Sequence, residues 1–191
     1  MANRERIKKK RQQEKRKTSL AVGGVAIVIA AIIGVIIFRD VRPGIGTEIP
    51  VERADHVPDG DPVESPSEPP TSGSHYGDPM PAGFYTEDSP EYLEGNHDGY
   101  LIHSLEHGYV VFWYNCDLLD AQGCQDLLAN IQSTMDEYNG FKLIAFPRPS
   151  ISVPLVMTAW GYLQEFETYD AKLAERFIEV NPSMAPEPNA P

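Results

Sequence analysis

Residues 100–116 read Tyr-Leu-Ile-His-Ser-Leu-Glu-His-Gly-Tyr-Val-Val-Phe-Trp-Tyr-Asn-Cys, and no other stretch limits the possible folds of the chain as strongly. Tyr109 to Tyr114 is an unbroken run of β-branched and aromatic side chains, which predicts a buried strand. Directly before it stand His103, Glu106 and His107, three metal-ligand side chains, with Gly108 as a break. A candidate site therefore abuts the core.

What these side chains can do depends on the backbone that carries them. His103 and His107 are four apart, so on a turn of helix both imidazoles project from one face and can chelate one ion. On a strand the same spacing separates them by roughly 13 Å, too far to share an ion. The segment also matches His-x-x-Glu-His, the inverted zincin pattern, with His103 and His107 as ligands and Glu106 as base. That chemistry needs a long helix, and Gly108 with the strand run behind it allows about two turns. Of the five histidines, His56 in a proline-rich stretch and His97 in a Gly-Asn-His-Asp-Gly turn are expected in solvent.

The remaining elements follow from periodicity. Asp117 to Tyr138 carries apolar residues near helical spacing and ends at Asn139-Gly140, a C-cap pair. Phe141 to Phe146 and Val153 to Trp160 read as strands, Gly161-Tyr162 as a turn, and Tyr169 to Val180 as an amphipathic helix. Residues 71–85 show no regular element, yet such segments beside a core can carry site residues. The order strand, helix, strand, strand, helix predicts an α+β fold, or α/β, with a small mixed sheet and two packing helices. It is faintly thioredoxin-like in topology, without a Cys-x-x-Cys pair.

Charge divides the chain. Residues 1–17 hold nine Lys/Arg against two Glu, whereas residues 40–191 hold six Lys/Arg against 26 Asp/Glu. So acidic a region disfavours nucleic acid and anionic lipid as its partners. Between them Leu20 to Phe38 is 19 residues without a charge or proline, long enough to cross a bilayer as a helix, and it lacks the small-x-small end of a cleaved signal peptide. The expectation is a basic cytoplasmic tail at 1–17, a single membrane span at 18–39, and residues 40–191 outside the cell membrane. Residues 40–68, with seven prolines between Asp40 and Pro70, are expected to be a linker, 69–180 the domain, and 181–191 a disordered tail. Cys116 and Cys124, the only cysteines, suit a disulfide in such a compartment.

Pro70-Thr71-Ser72-Gly73-Ser74-His75-Tyr76, Pro81-Ala82-Gly83-Phe84-Tyr85, His103-Ser104-Leu105-Glu106-His107-Gly108 and Thr158-Ala159-Trp160-Gly161 follow one another in the order of the blocks of a bacterial family, the domain of unknown function 3105. The chain resembles that family over about residues 69–180. The resemblance implies a membrane-anchored or secreted domain and marks His75, His103, Glu106 and His107 as motif positions. The residue chemistry suggests a transition-metal site of His75, His103 and His107, with Met80 or Met157 as a soft fourth ligand and Glu106 as an outer-shell acceptor of a ring N–H. Copper is the first choice of ion and zinc the second. Binding or transfer is favoured over catalysis, and no catalytic residue is assigned. The competing reading keeps the histidines structural, in an interaction subunit docking on an envelope protein partner.

Overall fold

The structure, a computed structural model, describes residues 43–51 and 53–191. The basic tail and the expected membrane span at 18–39 lie outside the described residues; among the described residues no helix is long and apolar enough to cross a membrane. In chain order the elements are β1 (Thr47–Glu48), β2 (Gly83–Phe84), α1 (Pro90–Leu93), α2 (Asp98–Glu106), β3 (Val110–Tyr114), α3 (Ala121–Glu137), β4 (Leu143–Pro147), β5 (Leu155–Ala159), β6 (Tyr162–Phe166) and α4 (Ala171–Val180). Short 3₁₀ turns lie at Cys116–Leu118 and Asn181–Met184.

The strands form one mixed sheet in the order β1-β6-β5-β3-β4-β2. β4 runs parallel to both β3 and β2, and the other pairings are antiparallel. The expected α+β class holds, with four helices among the described residues where two packing helices are expected.

Alternation of side chains explains the layers. Along β3, Val111 and Trp113 face one cluster, and Val110, Phe112 and Tyr114 the other; β4 divides in the same way, with Ile144 and Phe146 opposite Leu143 and Ala145. Leu101, Ile102 and Leu105 of α2 cover the first face, and Leu127, Ile131 and Met135 of α3 with Ala174, Phe177 and Ile178 of α4 cover the second. With both faces covered, the central strands read as unbroken apolar runs. Asp120 and Asp170 start α3 and α4 by accepting the amides of Gly123 and Leu173.

Several expected boundaries shift. α3 begins at Ala121 because the chain first makes the turn at Cys116–Leu118, which the Cys116–Cys124 disulfide ties to the first turn of the helix. Phe141 is 73% exposed and precedes β4. Tyr162, expected in a turn, opens β6, whose half-exposed residues give no buried apolar pattern.

Two segments expected to be loose are packed. In the expected linker, β1 pairs with β6, Val57 N–H donates to the His75 carbonyl at 2.8 Å, and Arg148 bonds both Glu68 carboxylate oxygens at 2.6 Å. Backbone pairing at the sheet edge and to the His75 segment, together with that ion pair, outweighs the composition. In the expected disordered tail, Ala185 is buried and Asn181 bonds the backbone of Ile45 in both directions. Gly44–Pro191 accordingly forms one unit.

Candidate metal centre

α2 ends where the site begins. Gly108 adopts φ +80°, its amide donates to the Leu105 carbonyl and the Tyr109 amide to the Ser104 carbonyl. This is the Schellman arrangement, for which a residue without Cβ is favoured. A Cβ at Gly108 would also lie 2.9 Å from the Pro182 carbonyl oxygen. The helix thus carries His103 and Glu106 with His107 as its C-cap, and then passes directly into β3.

Because His103 and His107 sit on one helical face, their Nε2 atoms lie 2.9 Å apart. His75 arrives from the irregular segment, its backbone held by the Asp55 carbonyl on one side and Val57 on the other. Gly73 permits this course: it has φ +146°, and a Cβ there would meet the Glu64 carbonyl oxygen at 2.0 Å. The ring centroids of His75 and His103 are 5.1 Å apart, and those of His103 and His107 are 4.5 Å apart. All three imidazoles are buried.

The hydrogen bonds assign the ring protons. Nδ1 of His75, His103 and His107 faces the carbonyls of Gly73, Tyr76 and Pro191 at 3.0, 2.7 and 3.0 Å. A carbonyl only accepts, so each Nδ1 carries a hydrogen and each neutral ring presents an Nε2 lone pair. His103 and His107 therefore point lone pairs at one another, an arrangement that a metal ion between them would stabilise. Nε2 of His75 lies 3.0 Å from Glu106 Oε2, yet it is buried and has no aligned hydrogen-bond partner.

Glu106 meets His75 on the Nε2 side, whereas backbone carbonyls take the Nδ1 hydrogens of His75, His103 and His107. Its carboxylate thus faces a ring nitrogen that carries a lone pair, whereas the expected outer-shell role places it on a ring N–H. Met157 cannot join the set, because it packs with Phe112 in the cluster on the far face of the sheet. Met80 is buried in the apolar cluster under α2, and its carbonyl accepts from Ser104 Oγ at 2.9 Å.

A further imidazole, His56, stands beside this cluster. His56 is exposed, as expected, but pairs as a parallel bridge with His75 and sets its ring 4.5 Å from His75 and 5.2 Å from His103. Ligand atoms of His56, His75 and His103 lie within 4.8 Å of one another. A shared ion at 2.0–2.1 Å needs pairs closer than about 4.2 Å, so a modest closure would bring all three into range. A single-residue bridge leaves no periodicity, so the sequence carries no signal for His56.

His97 departs from expectation in the other direction. Its side chain is 18% exposed, stacks on Tyr92 and packs 4.6 Å from Phe146. Burial lowers its pKa, Asp98 opposes this, and the Arg148 charge adds to the lowering. Burial likewise holds His103 below the ordinary imidazole value against the Tyr76 carbonyl, with His107, His75 and His56 adding to the effect. Both rings favour the neutral form, the one that a metal requires.

Trp160 is buried with its ring 6.4 Å from that of His75, and Trp113 donates to Thr158 Oγ1 at 2.8 Å in the core below. A mixed-sheet domain with a buried imidazole cluster at the end of a nine-residue helix defines the class. The chain belongs to the family described as protein of unknown function (DUF3105), which matches residues 56–191. No curated protein and no solved structure matches it significantly.

Proposed function

We propose that this domain binds one divalent transition metal through Nε2 of His75, His103 and His107, with Glu106 completing the set. The observation that carries the reading is the shared tautomer: three Nδ1 hydrogens held by backbone carbonyls leave three Nε2 lone pairs free, those of His103 and His107 2.9 Å apart and that of His75 buried without a hydrogen-bond partner. Metal-bound histidines have their second ring nitrogen tied in this way. A donor set of imidazoles and a carboxylate suits zinc or Cu(II), and with Met157 on the other face only Met80 of the two thioethers is left to favour Cu(I).

The domain is read as extracytoplasmic, held by a single span at 18–39 with the basic tail inside; the Cys116–Cys124 disulfide supports an oxidising compartment. The thioredoxin-like reading draws on the connectivity β3-α3-β4 followed by β5-β6-α4, and extends to topology alone. An inverted-zincin peptidase is disfavoured, since α2 ends at Glu106 and leaves His107 as its cap. The second reading, an interaction subunit of an envelope complex, is favoured by Phe141, 73% exposed beside a groove lined by Tyr138, Ile178 and Pro188.

The test is metal analysis of the full-length chain after exposure to Zn(II), Cu(II) and Cu(I), beside His75→Ala, His103→Ala and His107→Ala. One metal per chain, weakened about 100-fold or more by each substitution, is the expected result. A parent that takes up no metal, or metal retained by all three variants, rejects the site.

A further inference from the structure

The segment following α4 returns to the end of α2. Glu187 N–H donates to the Glu106 carbonyl at 3.0 Å, and its carboxylate Oε2 lies 3.6 Å from His107 Nε2. Further along, the Pro191 carbonyl takes the His107 Nδ1 hydrogen at 3.0 Å. Lys142 binds both partners at once: its Nζ donates to the His107 carbonyl at 2.7 Å, to Pro188 at 3.0 Å and to Ala190 at 2.7 Å. One ammonium group thereby fastens the cap of the helix to two points of the segment. Ala185 anchors the near end in the apolar cluster, and the Glu187 side chain remains 61% exposed.

We infer that residues 185–191 form a strap closing the metal site, in which Glu187 is an exchangeable carboxylate ligand on the His107 side and Lys142 is the latch. The inference rests on the metal reading above. The 3.6 Å separation of Glu187 Oε2 from His107 Nε2 is within the roughly 4.2 Å that two ligands of one ion can span, so one ion can take both atoms. An exposed carboxylate is also the group that a competing ligand reaches first, which makes the strap the side from which metal enters and leaves. Linkage makes the coupling reciprocal: if the strap retains the metal, the metal must retain the strap.

The test uses the full-length chain loaded with Zn(II), followed by release to an excess chelator, with Glu187→Gln, Lys142→Met and the chain shortened after Ala185. Circular dichroism and thermal melting verify that each variant is folded. The expected result is release about tenfold faster for Glu187→Gln and for the shortened chain, with Lys142→Met also faster than the parent. In parallel, carboxypeptidase should remove the strap more slowly from the parent when Zn(II) is present, and equally with or without it from Glu187→Gln. A loaded parent that releases zinc within twofold of Glu187→Gln, with strap digestion insensitive to zinc, overturns the strap and leaves the metal site standing. A parent that takes up no zinc overturns both.

Discussion

The two faces of the sheet are built from different materials. Against α3 and α4 the space is filled by Val110, Phe112, Leu127, Ile131, Leu155, Met157 and Phe177, with few polar groups. Against α2 the apolar layer of Leu101, Leu105, Trp113 and Phe146 is overlaid by buried Thr71, Ser72, Ser74, His75, His103, Glu106 and His107. Burying polar groups costs free energy unless each finds a partner. The α3/α4 face therefore supplies stability, while the α2 face spends part of its packing on arranging donors and acceptors.

The largest expected effect is on the apolar face. Phe112→Ala should lower unfolding stability by about 3–5 kcal/mol in denaturant titrations while the folded fraction still binds metal with parental affinity. Loss of affinity in that variant would mean that the faces are not separable. On the same side, Cys116→Ser with Cys124→Ser should cost roughly 2–3 kcal/mol through loop entropy, again without altering metal affinity.

On the α2 face the sign of the comparison reverses. Zinc at 100 times its dissociation constant should stabilise the parent by about 2.7 kcal/mol, and Phe112→Ala equally, but not His103→Ala. Equal stabilisation of His103→Ala would place the metal elsewhere. A smaller effect concerns protons in the metal-free chain. His103 and His97 both titrate below the ordinary imidazole value of about 6.5, so the unfolded chain binds more protons as the pH falls. Their contribution is whole above about 6.5 and is lost as the pH drops through the depressed values. The urea midpoint should therefore fall between pH 7 and 5, and less so in His97→Phe; an identical slope in that variant would remove His97 from the account.

What could be read beforehand follows the same division. β3, β4, β5, α3 and α4 were legible because strands covered on both faces and amphipathic helices leave strong apolar patterns. The proximity of His103 and His107 was legible once Leu101 to His107 is a helical turn, since four residues then return to one face. β1 and β2, two residues each, are too short to leave a period. The 40–68 linker and residues 181–191 look like loose chain because proline and acidic residues mark disorder by composition, whereas among the described residues edge pairing, the Arg148 ion pairs and the Lys142 hydrogen bonds hold them. Charge balance around Arg148 shows how local this is: burial opposes its charge, but the bonds from Glu68 and Asp98 outweigh burial and hold its pKa up.

The joint at Gly108 has one further consequence. Helix and central strand are connected there by a single left-handed residue and Tyr109, with two crossed backbone hydrogen bonds and no spare chain. The imidazoles of His103 and His107 thus inherit the stiffness of the middle of the sheet. Ligands fixed to so rigid a mount are pre-organised: the conformational entropy of gathering them is lost when the domain folds and not when an ion arrives.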